Sequence, residues 1–234
     1  MKSIIDNSNL ICITGRPGIG KTALIINETI NYAKNNKILY YSFNENKELL
    51  EKRILSNITA IGINVIDKSN VLYENLKRNR LSILNNYIIR NIENNNVELL
   101  LNDINNQCYK NDIAIVCIDG FSINNDINIT KKISSTLFKG LKEINRNFSN
   151  KIIVTSSVSR DIESREDPFT LYTDYGILWD YFETIINIYN ESYYNNEIDK
   201  NINEIILFVD DVTKTTRDLI YMIYYKRINR YTYK

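Results

Sequence analysis

Apolar positions along the chain follow two patterns. Short β-branched runs predict buried strands at 10–14 (LICIT), 37–42 (KILYYS), 113–118 (IAIVCI) and 151–155 (KIIVT). Between them, apolar residues recur every three or four positions and predict helices over 21–32, 48–61, 97–108 and 132–146. The last of these places Ile133, Leu137, Leu141 and Ile144 on one face, which must meet a core. Residues 87–92 are read as a further strand, and 64–86 as a short strand followed by a helix. Residues 156–179 are polar, contain Pro168 and Gly176, and predict a long loop with one turn of helix; such loops in compact domains are usually functional or mobile. Strands at 183–189, 204–209 and 219–225 follow, the last two paired as a C-terminal β-hairpin through 210–218. Strands alternating with helices predict an α/β fold with a mostly parallel central sheet flanked by helices. No linker, repeat or shift in composition divides residues 1–234, so a single domain is expected.

Composition narrows the chemistry. The chain has 234 residues and is 44% hydrophobic, enough for a sizeable core. It contains only 7 Gly and 2 Pro, which excludes collagen-like and Pro/Gly low-complexity chains. Three of those glycines, Gly15, Gly18 and Gly20, share one loop with Pro17. A formal net charge of +1 excludes a polycationic binder, so any nucleic-acid contact must come from a local patch or groove. Histidine is absent, which removes histidine metal sites, Ser–His–Asp triads and histidine bases. Cys12, Cys108 and Cys117 are widely spaced and read as buried thiols of a reducing compartment. Asn and Ile each supply roughly a sixth of the chain, well above average usage, as an A/T-rich genome would dictate. The Asn residues are interleaved with Ile and charge, not collected in a prion-like tract. No secretory signal opens the chain and no apolar run approaches the roughly 18 residues of a membrane span. A soluble, cytoplasmic protein without a membrane partner is expected.

The glycine loop carries the clearest chemistry. Gly15-Arg16-Pro17-Gly18-Ile19-Gly20-Lys21-Thr22 fits G-x-x-x-x-G-K-[ST] and lies between a predicted strand and a helix that continues through Ala23. Glycines let backbone N–H groups turn inward to phosphate oxygens, and the helix start adds free N–H groups and the positive dipole end. In this pattern Lys21 neutralises the β- and γ-phosphates and the Thr22 hydroxyl ligates Mg²⁺. Asp119 ends the apolar run at 113–118, where a carboxylate serves as a direct or second-sphere Mg²⁺ ligand; a plain Asp-Gly turn is the alternative.

Other residues leave two readings open. Glu45, just after the second strand, either orients and polarises an attacking water or simply favours a helix N-terminus. Ser156, Ser157, Ser159 and Arg160 follow the strand at 151–155 and either sense the γ-phosphate or begin an ordinary Ser-rich loop. Lys214 and Arg217 lie between the last two strands, as an arginine finger toward a neighbouring subunit or as a solvated turn. Residues 221–234 interleave Tyr with Lys226, Arg227, Arg230 and Lys234; this suits single-stranded nucleic acid, or a final strand with a frayed end.

These segments together resemble the C-terminal RecA-type ATPase domain of the DnaB-like replicative helicases. LICITGRPGIGKTAL is similar to that family's first strand and Walker A loop, including its Arg-Pro. YYSFNENKELLEKRIL resembles its second strand and helix, IAIVCIDGF its Walker B strand, and IIVTSSVSR, more distantly, the strand carrying its Ser-Gln-Leu-Asn-Arg motif. The resemblance implies a RecA-like P-loop NTPase that uses ATP and Mg²⁺ and acts on single-stranded DNA. It also implies a homo-oligomer, ring or filament, or docking on a larger replication partner. Departures fall on working positions. The family's catalytic Glu falls on Asn44, with Glu45 one residue late, and its γ-phosphate-sensing Gln falls on Ser157, while Arg160 keeps the Arg. Its DNA-contacting Arg-Glu-Ser-Gly falls on Thr173-Asp174-Tyr175-Gly176 without the Arg. Its trans-acting Lys and Arg fall near Val209 and Asp211, leaving Lys214 and Arg217 as substitutes. Because the chain opens at the first strand, the family's N-terminal domain and linker helix are expected to be missing.

Two functions follow. One is an ATP-hydrolysing motor on single-stranded DNA in replication. The other is a nucleotide-binding accessory or regulatory protein that keeps the fold without efficient unwinding. A small-molecule kinase is disfavoured, because no lid with clustered arginines is evident.

Overall fold

Strand β1 (Leu10–Thr14) is buried along its whole length because both neighbours pair with it in parallel: β5 (Lys151–Thr155) on one side and β6 (Thr184–Asn190) on the other. Parallel pairing leaves no solvated face, which is why the run is continuously apolar. The structure, a computed structural model, describes residues 3–91, 96–121, 127–157, 178–194 and 201–234, with backbone alone for 127–133 and 194. Its nine-stranded sheet has the order β3-β2-β4-β5-β1-β6-β7-β8-β9, with β2 (Lys37–Ser42), β3 (Tyr87–Asn91), β4 (Ile113–Asp119), β7 (Ile202–Asp211), β8 (Thr216–Tyr225) and β9 (Arg230–Tyr233). The pairs from β3 to β6 are parallel; β6–β7, β7–β8 and β8–β9 are antiparallel.

Helices cover both faces. On one side pack α1 (Lys21–Thr29), α2 (Lys47–Thr59), α3 (Ile63–Asp67), α4 (Asn70–Asn79) and α5 (Leu81–Asn85); on the other lie α6 (Val97–Lys110), α7 (Ile127–Phe148) and α8 (Leu178–Tyr181). The alternation of a strand splits β2 between the two cores. Tyr40 enters the first and Tyr41 the second, both fully buried. Each ring finds a partner for its hydroxyl, as buried tyrosines require: Tyr40 donates to Asp119 and Tyr41 to Asp103.

Several boundaries differ from the sequence reading. Helix α1 stops at Thr29, whose hydroxyl donates back to the Ile25 carbonyl at 2.8 Å, and a short 3₁₀ turn follows at Tyr32–Lys34. Residues 64–86 hold no strand. They form α3, α4 and α5, because the β-branched residues there do not alternate into a sheet face: Val65 and Val71 are exposed, and Ser69 caps α4 by accepting from the Leu72 N–H. Helix α7 begins at Ile127, before the expected position. The expected hairpin exists, but its strands run on until Asp211 pairs with Thr216. The chain after it is not frayed, since β9 pairs with β8. Among the described residues, no helix is long and apolar enough to cross a membrane, and Cys12, Cys108 and Cys117 are buried free thiols.

Candidate nucleotide-binding site

The C-terminal ends of β1, β2, β4 and β5 open into one cleft of about 1040 Å³. In an open α/β sheet this crevice, where the strand order reverses, is where ligands bind. The glycine loop leaves β1 here. Ile19 turns into the core and Arg16 is buried, so the loop is anchored by its side chains while its backbone faces the cleft. Gly20, at φ 117°, lies in the left-handed region, and a Cβ there would collide with the Tyr231 hydroxyl. No side chain caps α1, which leaves the N–H groups of its first turn to a ligand. Lys21 Nζ arches over the loop and donates to the carbonyls of Gly15 at 2.8 Å and Arg16 at 3.0 Å. Burial lowers the Lys21 ammonium from 10.5 to about 8, against the opposing pull of Asp119.

Asp119 closes the opposite side. It is 6% exposed and accepts three hydroxyl hydrogen bonds: from Thr22 at 2.7 Å, Tyr40 at 2.9 Å and Thr155 at 3.0 Å. Thr155 also accepts from the Gly120 N–H at 2.8 Å, which locks the turn after Asp119. Burial and the adjacent Asp119 hold Tyr40 well above its ordinary pKa, so it stays a neutral donor. The Thr22 hydroxyl and one Asp119 oxygen form a pair of hard oxygen donors at the mouth of the phosphate loop. That set fits Mg²⁺, which takes few protein ligands and keeps water or phosphate oxygens for the rest.

The end of β2 forms the third wall. Its turn is tied by Ser42 Oγ, which donates to the Glu45 carbonyl at 2.7 Å and accepts from the Glu45 N–H at 3.2 Å. Asn91 of β3 also donates to the Glu45 carbonyl, at 2.6 Å, and Phe43 N–H donates to the Asp119 carbonyl at 3.0 Å. Asn46 then caps α2 by accepting from the Leu49 N–H. Asn44 is exposed to the cleft, and its carboxamide nitrogen lies against Gly120, so closely that a Cβ there would collide with it. Glu45 also lines the cleft, but both its carboxylate oxygens are held by Arg53, from Nε and Nη2 at 2.6 Å each. Arg53 Nη1 donates on to Asn229 Oδ1 at 3.2 Å.

The remaining expected residues separate. Ser156 and Ser157 line the cleft beside β5. Ser159, Arg160, the segment 173–176 and most of the loop at 156–179 lie outside the described residues. Arg217 is not an available finger. It pairs with fully buried Asp210 at 2.6 Å and covers the Phe208 ring, because the hairpin register sets Asp210 directly opposite it. Lys214 is exposed but closes its own turn onto Asp211 at 2.5 Å, holding that carboxyl down to about 2. In the basic, aromatic end of the chain Tyr221 is exposed, but two of its tyrosines are turned inward. Tyr224 and Tyr231 stack on each other, centroids 4.4 Å apart, and both are buried. Tyr231 donates to the Gly20 carbonyl at 3.3 Å, and Arg230 Nε to the Asn57 carbonyl at 2.9 Å. Lys226 and Arg227 line the cleft, while Lys234 pairs with Glu204. Sequence reading missed Tyr40, Thr155, Arg53 and Tyr231 as parts of the site. The sheet order is the signal that brings the first two to Asp119.

Comparison with known proteins agrees with this geometry. A sequence model of the DnaB-like helicase C terminal domain matches residues 2–232. A probable replicative DNA helicase of Trieres chinensis is 28% identical over 221 residues, covering 86% of this chain and 48% of the relative. The replicative DNA helicase DnaB of Rickettsia prowazekii (strain Madrid E) is 26% identical over 214 residues, covering 80% and 43%. The chain thus spans about half or less of the length of these curated relatives. Among solved structures, an isolated ATPase domain superposes with a TM-score of 0.81 at 22% identity, covering 97% of this chain and 85% of that one. A DnaB-like replicative helicase, studied with its primase interactions, gives 0.78 at 24%, covering 96% and 57%. These two show a shared fold. The phosphate loop, the carboxylate facing it and a family match over nearly the whole length lead to one assignment: the chain belongs to the DnaB-like helicase C-terminal domain family.

Proposed function

We propose that residues 1–234 form a single ATPase domain that binds ATP·Mg²⁺, hydrolyses it and acts on single-stranded DNA in replication. The observation that carries this reading is the 2.7 Å contact between Thr22 of the phosphate loop and Asp119 at the end of β4. It supports a reading in which the loop would cradle phosphate and the Thr22 and Asp119 oxygens beside it would take the metal. The backbone from Gly15 through Ala23, including Arg16, Pro17, Gly18, Ile19 and Gly20, would surround the phosphates, with Lys21 neutralising their charge. Thr22 and Asp119 would hold Mg²⁺, which supplies charge neutralisation at the phosphate oxygens. Ser157 and Arg160 would face the terminal phosphate. Buried free cysteines fit a reducing, cytoplasmic setting.

Homo-oligomerisation as a ring or filament, or docking on a larger replication partner, belongs to the same proposal and rests on the family. The decisive experiment is ATP turnover with and without single-stranded DNA, with mass measured in the presence of nucleotide. DNA-stimulated turnover in an oligomer supports the motor. Turnover unchanged by Lys21→Ala defeats it. The second reading, a nucleotide-binding accessory or regulatory protein, is favoured by one observation: Arg53 occupies both oxygens of Glu45. Tight ATP binding with negligible turnover and no response to DNA would select it.

A further inference from the structure

We propose that Asn44, and not Glu45, orients the attacking water, and that the Glu45–Arg53 pair is a brace for the loop carrying Asn44. This rests on the ATPase reading above. The two residues are adjacent, yet their surroundings differ. The Asn44 carboxamide lies on Gly120, one residue beyond Asp119, and lines the cleft. Gly120 permits that approach because it lacks a Cβ, and its N–H is fixed by Thr155, the same hydroxyl that donates to Asp119. No described group hydrogen-bonds the Asn44 carboxamide, so both its donor and its acceptor remain for a ligand or a water.

Glu45 is placed differently. Its carboxylate forms a bidentate pair with Arg53, and Arg53 is anchored in turn to Asn229 just before β9. Both carboxylate oxygens already accept from Arg53, so the group is engaged with the guanidinium and not with the cleft. Freeing it would strand a mostly buried cation, a costly change for a charge largely withdrawn from water. The Glu45 backbone is also fixed, its N–H to Ser42 and its carbonyl to Ser42 and Asn91. Both residues line the cleft, but the Glu45 carboxylate and backbone are engaged in holding the turn, whereas the Asn44 carboxamide makes no hydrogen bond to a described group.

An amide orients water through hydrogen bonds and takes no proton. The water oxygen bonds to the terminal phosphorus as the bond to the bridging oxygen breaks. ADP leaves with that electron pair, and the proton shed by the water passes to an oxygen of the transferred phosphate. Positioning of this kind suits a loose phosphoryl-transfer transition state, which asks little of a base.

The test uses the whole chain and labelled ADP, alone and with Mg²⁺ and aluminium fluoride, which mimics the in-line displacement with its water. For Asn44→Ala, ADP affinity should stay within about twofold, while the fluoride complex weakens and turnover falls by about 100- to 1,000-fold, the usual cost of one transition-state donor. Asn44→Gln, which keeps the amide, should recover part of both losses. Glu45→Gln, whose remaining oxygen can still accept from Arg53, should lower the melting temperature but keep most of the preference for the fluoride complex over ADP. The assignment is overturned if Glu45→Gln abolishes that preference while Asn44→Ala spares it. Wild-type protein that binds no ADP would overturn the ATPase reading itself, and this assignment with it.

Discussion

The phosphate loop and the end of β2 are two walls of one cleft, built by different means. The loop wall is mostly backbone. Its shape follows from a strand buried on both sides, glycines such as Gly20 in the left-handed region, and the open start of α1. The β2 wall is mostly side chains: an amide on Gly120, and a carboxylate held by an arginine. A backbone cradle tolerates almost any neighbour, whereas a side-chain wall changes function with a one-residue shift. On the proposed function, binding and turnover would therefore be specified separately, and the departure from the family pattern at Asn44 falls on the second wall.

The strongest attack on this contrast is Lys21→Ala, which removes the ammonium that arches over the backbone wall. Nucleotide affinity should fall by about 100-fold, from the loss of one or two charge-assisted hydrogen bonds. Titration with labelled ADP checks it, and a loss confined to turnover would merge the two walls. Gly20→Ala comes next. Strain at positive φ costs about 1–3 kcal/mol, and the new methyl must also displace Tyr231. A lower melting temperature together with weakened binding is expected. Alkaline pH probes the same wall without mutation. In the unfolded chain Lys21 regains its ordinary pKa of 10.5, so its neutralisation in the fold begins near pH 8. Phosphate binding needs the ammonium, so ADP affinity should hold below pH 8. Above it, affinity should fall by up to about tenfold per pH unit, with a proton taken up on binding. Lys21→Ala should flatten that slope. The smallest effect is Tyr231→Phe, which removes one long hydrogen bond and should cost about 0.5 kcal/mol, seen as a slight drop in melting temperature.

The same contrast explains what was legible in the sequence. The phosphate loop and Asp119 at a strand end are local patterns, and the strands and helix that flank them lie where the sequence puts them. The sheet order is not local, and it alone shows that Tyr40 and Thr155 share Asp119; in sequence both look like ordinary members of apolar strands. Residues 64–86 misled because β-branched residues such as Val65 and Val71 sit on exposed helix surfaces, where periodicity carries no burial signal. Arg217 reads in sequence as either a finger or a solvated turn, and only the register of β7 and β8 shows Asp210 opposite it. Glu45 and Arg53 straddle the start of a helix, so no helical spacing rule connects them.

Tyr231 touches Gly20 across 211 positions of sequence. The loop that reads as the most local motif in the chain is thus completed by the ninth strand of the sheet. During synthesis the last neighbour of Gly20 arrives only when β9 has left the ribosome. The Tyr231–Gly20 contact would then mark completion of the sheet, and a nascent chain stalled before residue 230 would already hold β1 between β5 and β6 yet lack this final neighbour of its loop.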